Sequence, residues 1–418
     1  MEPSRKAPHP IVWAILYLPF GAFSGFVTVA LSFLATGQGL SISEGALLNG
    51  AQLLMQWLKW LWAPLVDITL TPRRWYIIST VGTGLGVAVM SAMPLSEKAL
   101  PALLAVIAAT SLINSVVGMS IEALIAGTVA EKDVGKVSGW FQAGNLGGAG
   151  LGGGLGLVLL KHLPRPWMGG AILGTLFVAC TLLLSFTPDV AGHRGKGAAA
   201  AVRAVLVDLR KMAKTKGGLI AAMLCFMPIG TGAAQGLLAQ ANVASAWGAG
   251  ESEVAWVQGF TAGIVTAIGC FIGGWLCQRM HPRLAYPLIG VLMAFVAVLM
   301  ALLPKTVNMY IALNLAYALV VGLAYAGFTA LVLRGMGAGS GATKYNVFAS
   351  LSNFPLWWLG ITLGLVAQKW SPRAMLLAEA GFGVIGVILY VVVLSRVRRS
   401  SLPETVNEEV VEAVPGEA

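Results

Sequence analysis

Three charged side chains stand inside long apolar runs of this 418-residue chain: Lys59, Glu122 and Glu379. A charge deep in hydrocarbon costs about 3 kcal/mol on insertion scales, so each one needs a partner or a task. A carboxyl group set there near an ammonium is suited to binding and releasing a proton as its surroundings change. Lys59 lies eight residues before Asp67, and Glu122 lies nine before Glu131. At 1.5 Å per helical residue those are depths of about 12 and 14 Å. The match makes Glu122 the expected proton-binding group and Lys59 the charge that lowers its proton affinity when close. A static ion pair and direct contact with a solute remain open alternatives. Glu379 follows Arg373 by six residues near the start of the last run. It is expected to snorkel to the interface and is left off the site.

The elements that must hold these groups are almost entirely apolar. Only 11% of residues are charged and 57% are hydrophobic, with a mean hydropathy of +0.81, whereas an ordinary soluble domain is roughly 25% charged. A water-soluble enzyme is excluded, and little chain is left for a soluble catalytic domain. Apolar runs of spanning length lie near 11–36, 43–66, 75–94, 99–128, 136–161 and 168–187. Six more lie near 217–243, 252–277, 283–303, 307–334, 343–367 and 373–396. The expectation is an all-α integral membrane protein of 12 transmembrane helices in two pseudo-symmetric six-helix halves, 11–187 and 217–396. Arg5 and Lys6 precede the first run, but that run is too long for a secretory signal and lacks a small-residue cleavage site. Cys180, Cys225, Cys270 and Cys277 all fall inside apolar runs, without disulfide or metal-ligand spacing, so neither a metal nor a cofactor is expected.

Orientation follows from the basic residues. With residues 1–10 in the cytoplasm, twenty of the 27 Lys and Arg fall on that side and six on the other, Lys59 being inside a run. Both termini are therefore expected in the cytoplasm. The formal charge of +10 marks topology and anionic headgroups, with no nucleic-acid partner. The 188–216 connection carries Val202, Val205, Leu206, Leu209 and Met212 at helical spacing, with Arg203, Arg210, Lys211 and Lys214 mostly on the other face. That pattern is an amphipathic helix on the membrane surface. Residues 397–418 read as a disordered acidic tail after Arg399.

The two halves repeat. Leu18-Pro19-Phe20-Gly21 in the first run answers Met227-Pro228-Ile229-Gly230 in the seventh, an offset of 209. Proline with glycine weakens a helix, so Pro19, Gly21, Pro228 and Gly230 are expected hinges. Asp67, Arg73 and Arg74 after the second run answer Gln278, Arg279 and Arg283 after the eighth. Lys136 with Asn145 answers Lys344 with Asn353 at an offset of 208. Duplicated halves around a cleft permit alternating access by rocking.

The chain resembles the major facilitator superfamily over nearly its whole length. Leu65, Asp67, Arg73 and Arg74 match that superfamily's loop pattern between helices 2 and 3, with Ala63 in place of its glycine. Lys59-Trp60-Leu61-Trp62-Ala63-Pro64-Leu65-Val66-Asp67 is similar to a stretch of the muropeptide permease and acetyl-CoA transporter family, and related siderophore importers share the general pattern. Gly341-Ala342-Thr343-Lys344-Tyr345, leading to Ser350-Leu351-Ser352, resembles the start of that family's helix 11. Muropeptide permeases carry two aspartates four residues apart in helix 4, where this chain has Gly118 and Glu122. The resemblance implies a multi-pass carrier of the bacterial inner (cytoplasmic) membrane. It also places helices 2 and 4 in one half, which makes a Lys59–Glu122 pair reasonable. Asp67, Arg73, Arg74, Gln278, Arg279 and Arg283 would then form a cytoplasmic gate, or only helix-end charges that fix topology.

Helix 5 runs Gly144-Asn145-Leu146-Gly147-Gly148-Ala149-Gly150-Leu151-Gly152-Gly153-Gly154. It follows no strand and carries no charge, so it is no phosphate loop, and small residues instead let helices approach closely. Candidate cleft residues are Gln142, Asn145, Gln235, Gln240, Asn314, Tyr317, Tyr325, Ser350 and Asn353, whose amides and hydroxyls suit a large polar solute, or hydrogen-bond between helices. Trp75, Trp167, Trp247 and Trp370 sit near run ends as an interfacial belt. Trp357 and Trp358 lie mid-run, set either toward lipid or for stacking on a ligand. The combined expectation is a proton-coupled secondary transporter, acting as a monomer on a small-molecule solute and protons within the lipid bilayer. A non-transporting sensor or a lipid flippase on the same scaffold is the alternative. No P-loop supports primary pumping.

Overall fold

A computed structural model describes residues 8–63, 66, 69–129, 134–188, 203, 207, 210, 211, 214–224, 226–336 and 347–399. Asp67, Cys225, Lys344, the apolar face of the 188–216 connection and the acidic tail lie outside the described residues. Among the described residues the secondary structure is all helix, with no strand. The first group comprises α1 (Ile11–Gly37), α2 (Ile42–Leu58), α3 (Pro72–Ala92), α4 (Leu100–Thr128), α5 (Val134–His162) and α6 (Pro166–Phe186). The second begins with α7 in three pieces, α7a (Lys216–Leu224), α7b (Gln235–Leu238) and α7c (Ala241–Ala244). It continues with α8 (Glu251–Arg279), α9 (Pro282–Leu302), α10 (Val307–Met336), α11 (Val347–Lys369) and α12 (Pro372–Arg399).

Ten helices among the described residues are long and apolar enough to cross a bilayer. The second and seventh expected runs are the two that differ. The start of α2 is fixed by a capping box: Ser41 N–H donates to Glu44 Oε2 at 2.8 Å, and Glu44 N–H donates to Ser41 Oγ at 3.3 Å. Its α-helical part ends after 17 residues, in a 3-10 turn at Lys59–Leu61. The seventh run breaks because Pro228 has no N–H to donate, while Gly230 and Gly232 adopt φ of +58° and +68°. That left-handed region favours glycine.

The expected twin hinge in the first run is corrected. The α-helix Ile11–Gly25 continues through Pro19, and the irregularity comes later, as a π-helical turn at Phe26–Leu31. Gly21 is a contact glycine instead: a Cβ there would overlap the carbonyl of Asn145. Close packing along α5 accompanies a helix that stays continuous where the sequence pattern alone would break it.

Helices pack both within and between the two groups. α1 lies along α5, α3 packs on α4 and α6, and α2 packs on α4; in the second group α8 pairs with α10, and α9 with α12 and α10. Between groups, α2 meets α11 and α5 meets α8. The glycine-rich α5 serves both contacts. A Cβ at Gly152 would overlap the carbonyl of Ala22 in α1, and one at Gly150 would come within 2.8 Å of the Gly259 carbonyl in α8. Small residues remove the side chains that would separate these backbones.

One end of the bundle is sealed by polar contacts between the groups. Ala241 N–H donates to Thr36 Oγ1 at 2.9 Å, Asn242 Nδ2 to the Leu40 carbonyl at 3.1 Å, and Ile42 N–H to Gln368 Oε1 at 2.9 Å. Glu251 at the start of α8 pairs with Lys161 and lies 3.4 Å from His162 Nε2 at the end of α5.

Candidate functional site

A cavity of about 360 Å³ lies between the two groups and is lined by residues from both. Lys59 and Glu122 both line it, as their matched depths predict. They are not joined, however: among the described residues the ion pairs are those of Glu251, and Glu122 Oε1 instead accepts from Tyr17 Oη of α1 at 3.1 Å. The expected Lys59–Glu122 ion pair is not formed, because matched depth along two helices does not fix the direction in which each side chain leaves its helix. Glu122 Oε2 is buried and has no hydrogen-bond partner. The arrangement therefore holds a half-satisfied carboxyl group at the wall of a cavity that the buried Lys59 also lines.

Of the expected cleft residues, Gln142, Asn145, Gln235, Tyr325 and Asn353 line the cavity. Asn145 and Asn353 are the pair matched across the internal repeat. Each donates locally, Asn145 Nδ2 to Gln142 Oε1 at 3.2 Å and Asn353 Nδ2 to the Ala349 carbonyl at 3.0 Å. Four expectations are corrected: Gln240, Asn314, Tyr317 and Ser350 are buried in packing and do not line the cavity. Gln240 is sealed beside Gly45, with both amide atoms unpartnered. Asn314 accepts from Gln258 Nε2 at 2.5 Å and donates to the Tyr310 carbonyl at 2.8 Å. Sequence periodicity puts residues on a helix face without saying whether that face meets the cleft or a neighbour.

The largest correction concerns Glu379. It does not reach the interface: it is 4% exposed, and its Oε1 accepts from Tyr317 Oη at 2.5 Å and from Ala234 N–H at 3.1 Å. Expectations for the tryptophans shift similarly. Trp247 is buried against Tyr310, while Trp357 lines the cavity, its ring 6.1 Å from Trp57 and 6.0 Å from Phe354. Trp57 lies 5.3 Å from Phe354, so one aromatic cluster spans α2 and α11.

Sequence reasoning missed a polar stripe on α2. Asn49, Gln52, Gln56 and Lys59 all line the cavity at helical spacing. Gln52 Nε2 donates to Ser24 Oγ at 2.7 Å, and Gln56 Nε2 donates to Ser111 Oγ at 3.4 Å. The intervals of three and four were visible in the sequence. Tyr17 had no such signal, because a tyrosine in an apolar run looks like core.

The expected gate residues stay within their own groups where they are described. The Arg73 guanidinium donates to the Leu184 carbonyl, Arg74 is exposed, and exposed Arg279 lies over Trp275, 5.4 Å from the ring centroid. Gln278 is exposed, and the Arg283 carbonyl accepts from Tyr390 Oη at 3.1 Å.

With this geometry in place, known proteins give a consistent picture. The model of the Major Facilitator Superfamily matches residues 13–355. Among solved structures, a POT family transporter in complex with a thioalcohol-conjugated peptide superposes with a TM-score of 0.71 at 10% identity, covering 93% of this chain and 96% of that one. A bacterial homologue of the human lysosomal transporter Spinster, inward-facing and unoccupied, gives a TM-score of 0.68 at 17% identity, with 95% and 98% covered. At these identities the likeness is one of fold.

Proposed function

The chain belongs to the Major Facilitator Superfamily, and from that premise we propose a proton-coupled secondary transporter that imports an amphipathic solute, muropeptide-like or siderophore-like, by alternating access between two six-helix halves. The observation that carries the proposal is Glu122: a carboxyl group at the cavity wall with one oxygen on Tyr17 and the other bare. In this reading Glu122 takes up and releases the coupled proton at the cavity wall, with Lys59 lining the same cavity. Amides from α2, α5 and α11 supply hydrogen bonds, and Trp357, packed against Trp57 and Phe354, supplies an apolar surface. This combination supports a solute with both amide or hydroxyl groups and a hydrophobic face.

With both termini in the cytoplasm, as the basic bias supports, the sealed end is the outer one and the cavity faces inward. Asp67, Arg73, Arg74, Gln278, Arg279 and Arg283 are the proposed cytoplasmic gate, and the within-group contacts of Arg73 and Arg279 suit an open state of its described part. Since both halves lie in one chain, a monomer in a bacterial inner membrane suffices.

Sealed vesicles containing the protein test the reading. Accumulation of a labelled muropeptide or ferric siderophore under an imposed pH gradient supports it. Saturable binding without accumulation makes the protein a sensor, and movement of a labelled lipid between leaflets without solute uptake makes it a flippase.

A further inference from the structure

Outside the cavity, one carboxyl group is buried more completely than Glu122. Glu379 of α12 is 4% exposed and sits among apolar residues that include Leu376, Ala380 and Leu237. Its two oxygens are treated unequally. Oε1 accepts from Tyr317 Oη and from Ala234 N–H, while Oε2 is buried with no hydrogen-bond partner. Among the described residues it has no ion-pair partner. A carboxylate oxygen without a hydrogen-bond donor in apolar surroundings is costly, and taking up a proton removes that cost.

The location gives this imbalance a consequence. Ala234 is the N-cap of α7b, the residue on which the chain re-enters helix after its break at Pro228–Gly232. The adjacent Ala233 lines the cavity, so the carboxyl group is separated from cavity water by about one residue of irregular backbone. We propose that Glu379 is a second proton-binding site, which takes a proton from cavity water and returns it there, and thereby tightens or loosens the hold of α12 on the broken middle of α7. As a carboxylate it makes charge-assisted bonds to Ala234 N–H and Tyr317 Oη, holding α7b against α10 and α12. As a neutral acid it accepts those bonds more weakly, and its O–H must find an acceptor. Break carbonyls could supply that acceptor only if α7 shifts.

Other titratable and charged groups on the surrounding elements are engaged elsewhere or are distant. Tyr286 of α9 donates to the Ile229 carbonyl at 2.9 Å, and Tyr310 of α10 donates to the Leu238 carbonyl at 2.7 Å. Lys369 at the end of α11 and Arg373 at the start of α12 are exposed. Tyr317 is thus the titratable group that faces Glu379. The site is independent of Glu122, which lies in the other group on α4.

The test is pH-difference infrared spectroscopy on the full chain in lipid nanodiscs, following the carbonyl stretch of protonated carboxylic acids. The expected result is a pH-dependent carboxyl band that survives in Glu122→Gln and is lost in Glu379→Gln. Identical pH-difference carboxyl bands in Glu379→Gln and the unaltered protein would overturn the proposal, because Glu379 would then hold one protonation state throughout. If Glu379→Gln proves unstable, Tyr317→Phe keeps the carboxyl group and removes its donor. The band must then move in frequency, and an unmoved band equally overturns the site. Loss of this site with an intact Glu122 band would leave the reading of Glu122 standing.

Discussion

Glu122 and Glu379 are alike in chemistry and opposite in setting. Each is a glutamate in an apolar helix, and each has one oxygen on a tyrosine hydroxyl and the other bare. Glu122 lines the wall of the cavity shared by both groups of helices, with its bare oxygen buried. Glu379 is enclosed within the second group, where its second donor is the backbone at the break in α7. The difference shows that a buried charge is not assigned a role by its residue type. What decides is whether the residue borders the cavity or only packing.

Substitutions can break or sharpen this contrast. The largest effect is expected from Glu122→Gln, which should fold normally and lose pH-driven solute accumulation in vesicles. Next is Tyr317→Phe: removing a donor from a sealed carboxyl leaves it unsatisfied, and thermal unfolding should report a destabilisation of about 1–3 kcal/mol. Tyr17→Phe removes the same hydroxyl from a carboxyl that borders the cavity, so a smaller loss of about 0.5–1.5 kcal/mol is expected. Equal losses for the two tyrosine variants would erase the distinction between a cavity-bordering and an enclosed site. The smallest effect belongs to Glu251→Gln at the sealed end, where partly exposed partners Lys161 and His162 make the pair worth about 0.2–1 kcal/mol. Its readout is the accessibility of the cavity from the sealed side.

Much of this contrast lay beyond the sequence for definite physical reasons. Apolar length locates ten helices directly, because spanning a bilayer demands a long uninterrupted run. The break in α7 was signalled by Pro228 and Gly230, but the same pattern at Pro19 and Gly21 gave an unbroken helix, since packing against α5 overrides a weak local preference. Among site residues, Glu122, Lys59 and the Asn145–Asn353 pair were legible as polar groups out of place in apolar runs or repeated across halves. Glu379 was misplaced because distance along the chain from Arg373 measures depth but not which way the helix faces. Tyr317 and Asn314 were assigned to the cleft for the same reason. Depth is a one-dimensional property that the sequence carries; the azimuth of a helix is set by its neighbours.

The central claim is that Glu122 carries the proton that drives transport. The most direct measurement compares two activities of Glu122→Gln in the same vesicles: exchange of labelled for unlabelled muropeptide or siderophore at equal pH, and accumulation against a concentration gradient under an imposed pH difference. Exchange that persists while accumulation disappears is the expected result. Accumulation at the level of the unaltered protein would contradict it.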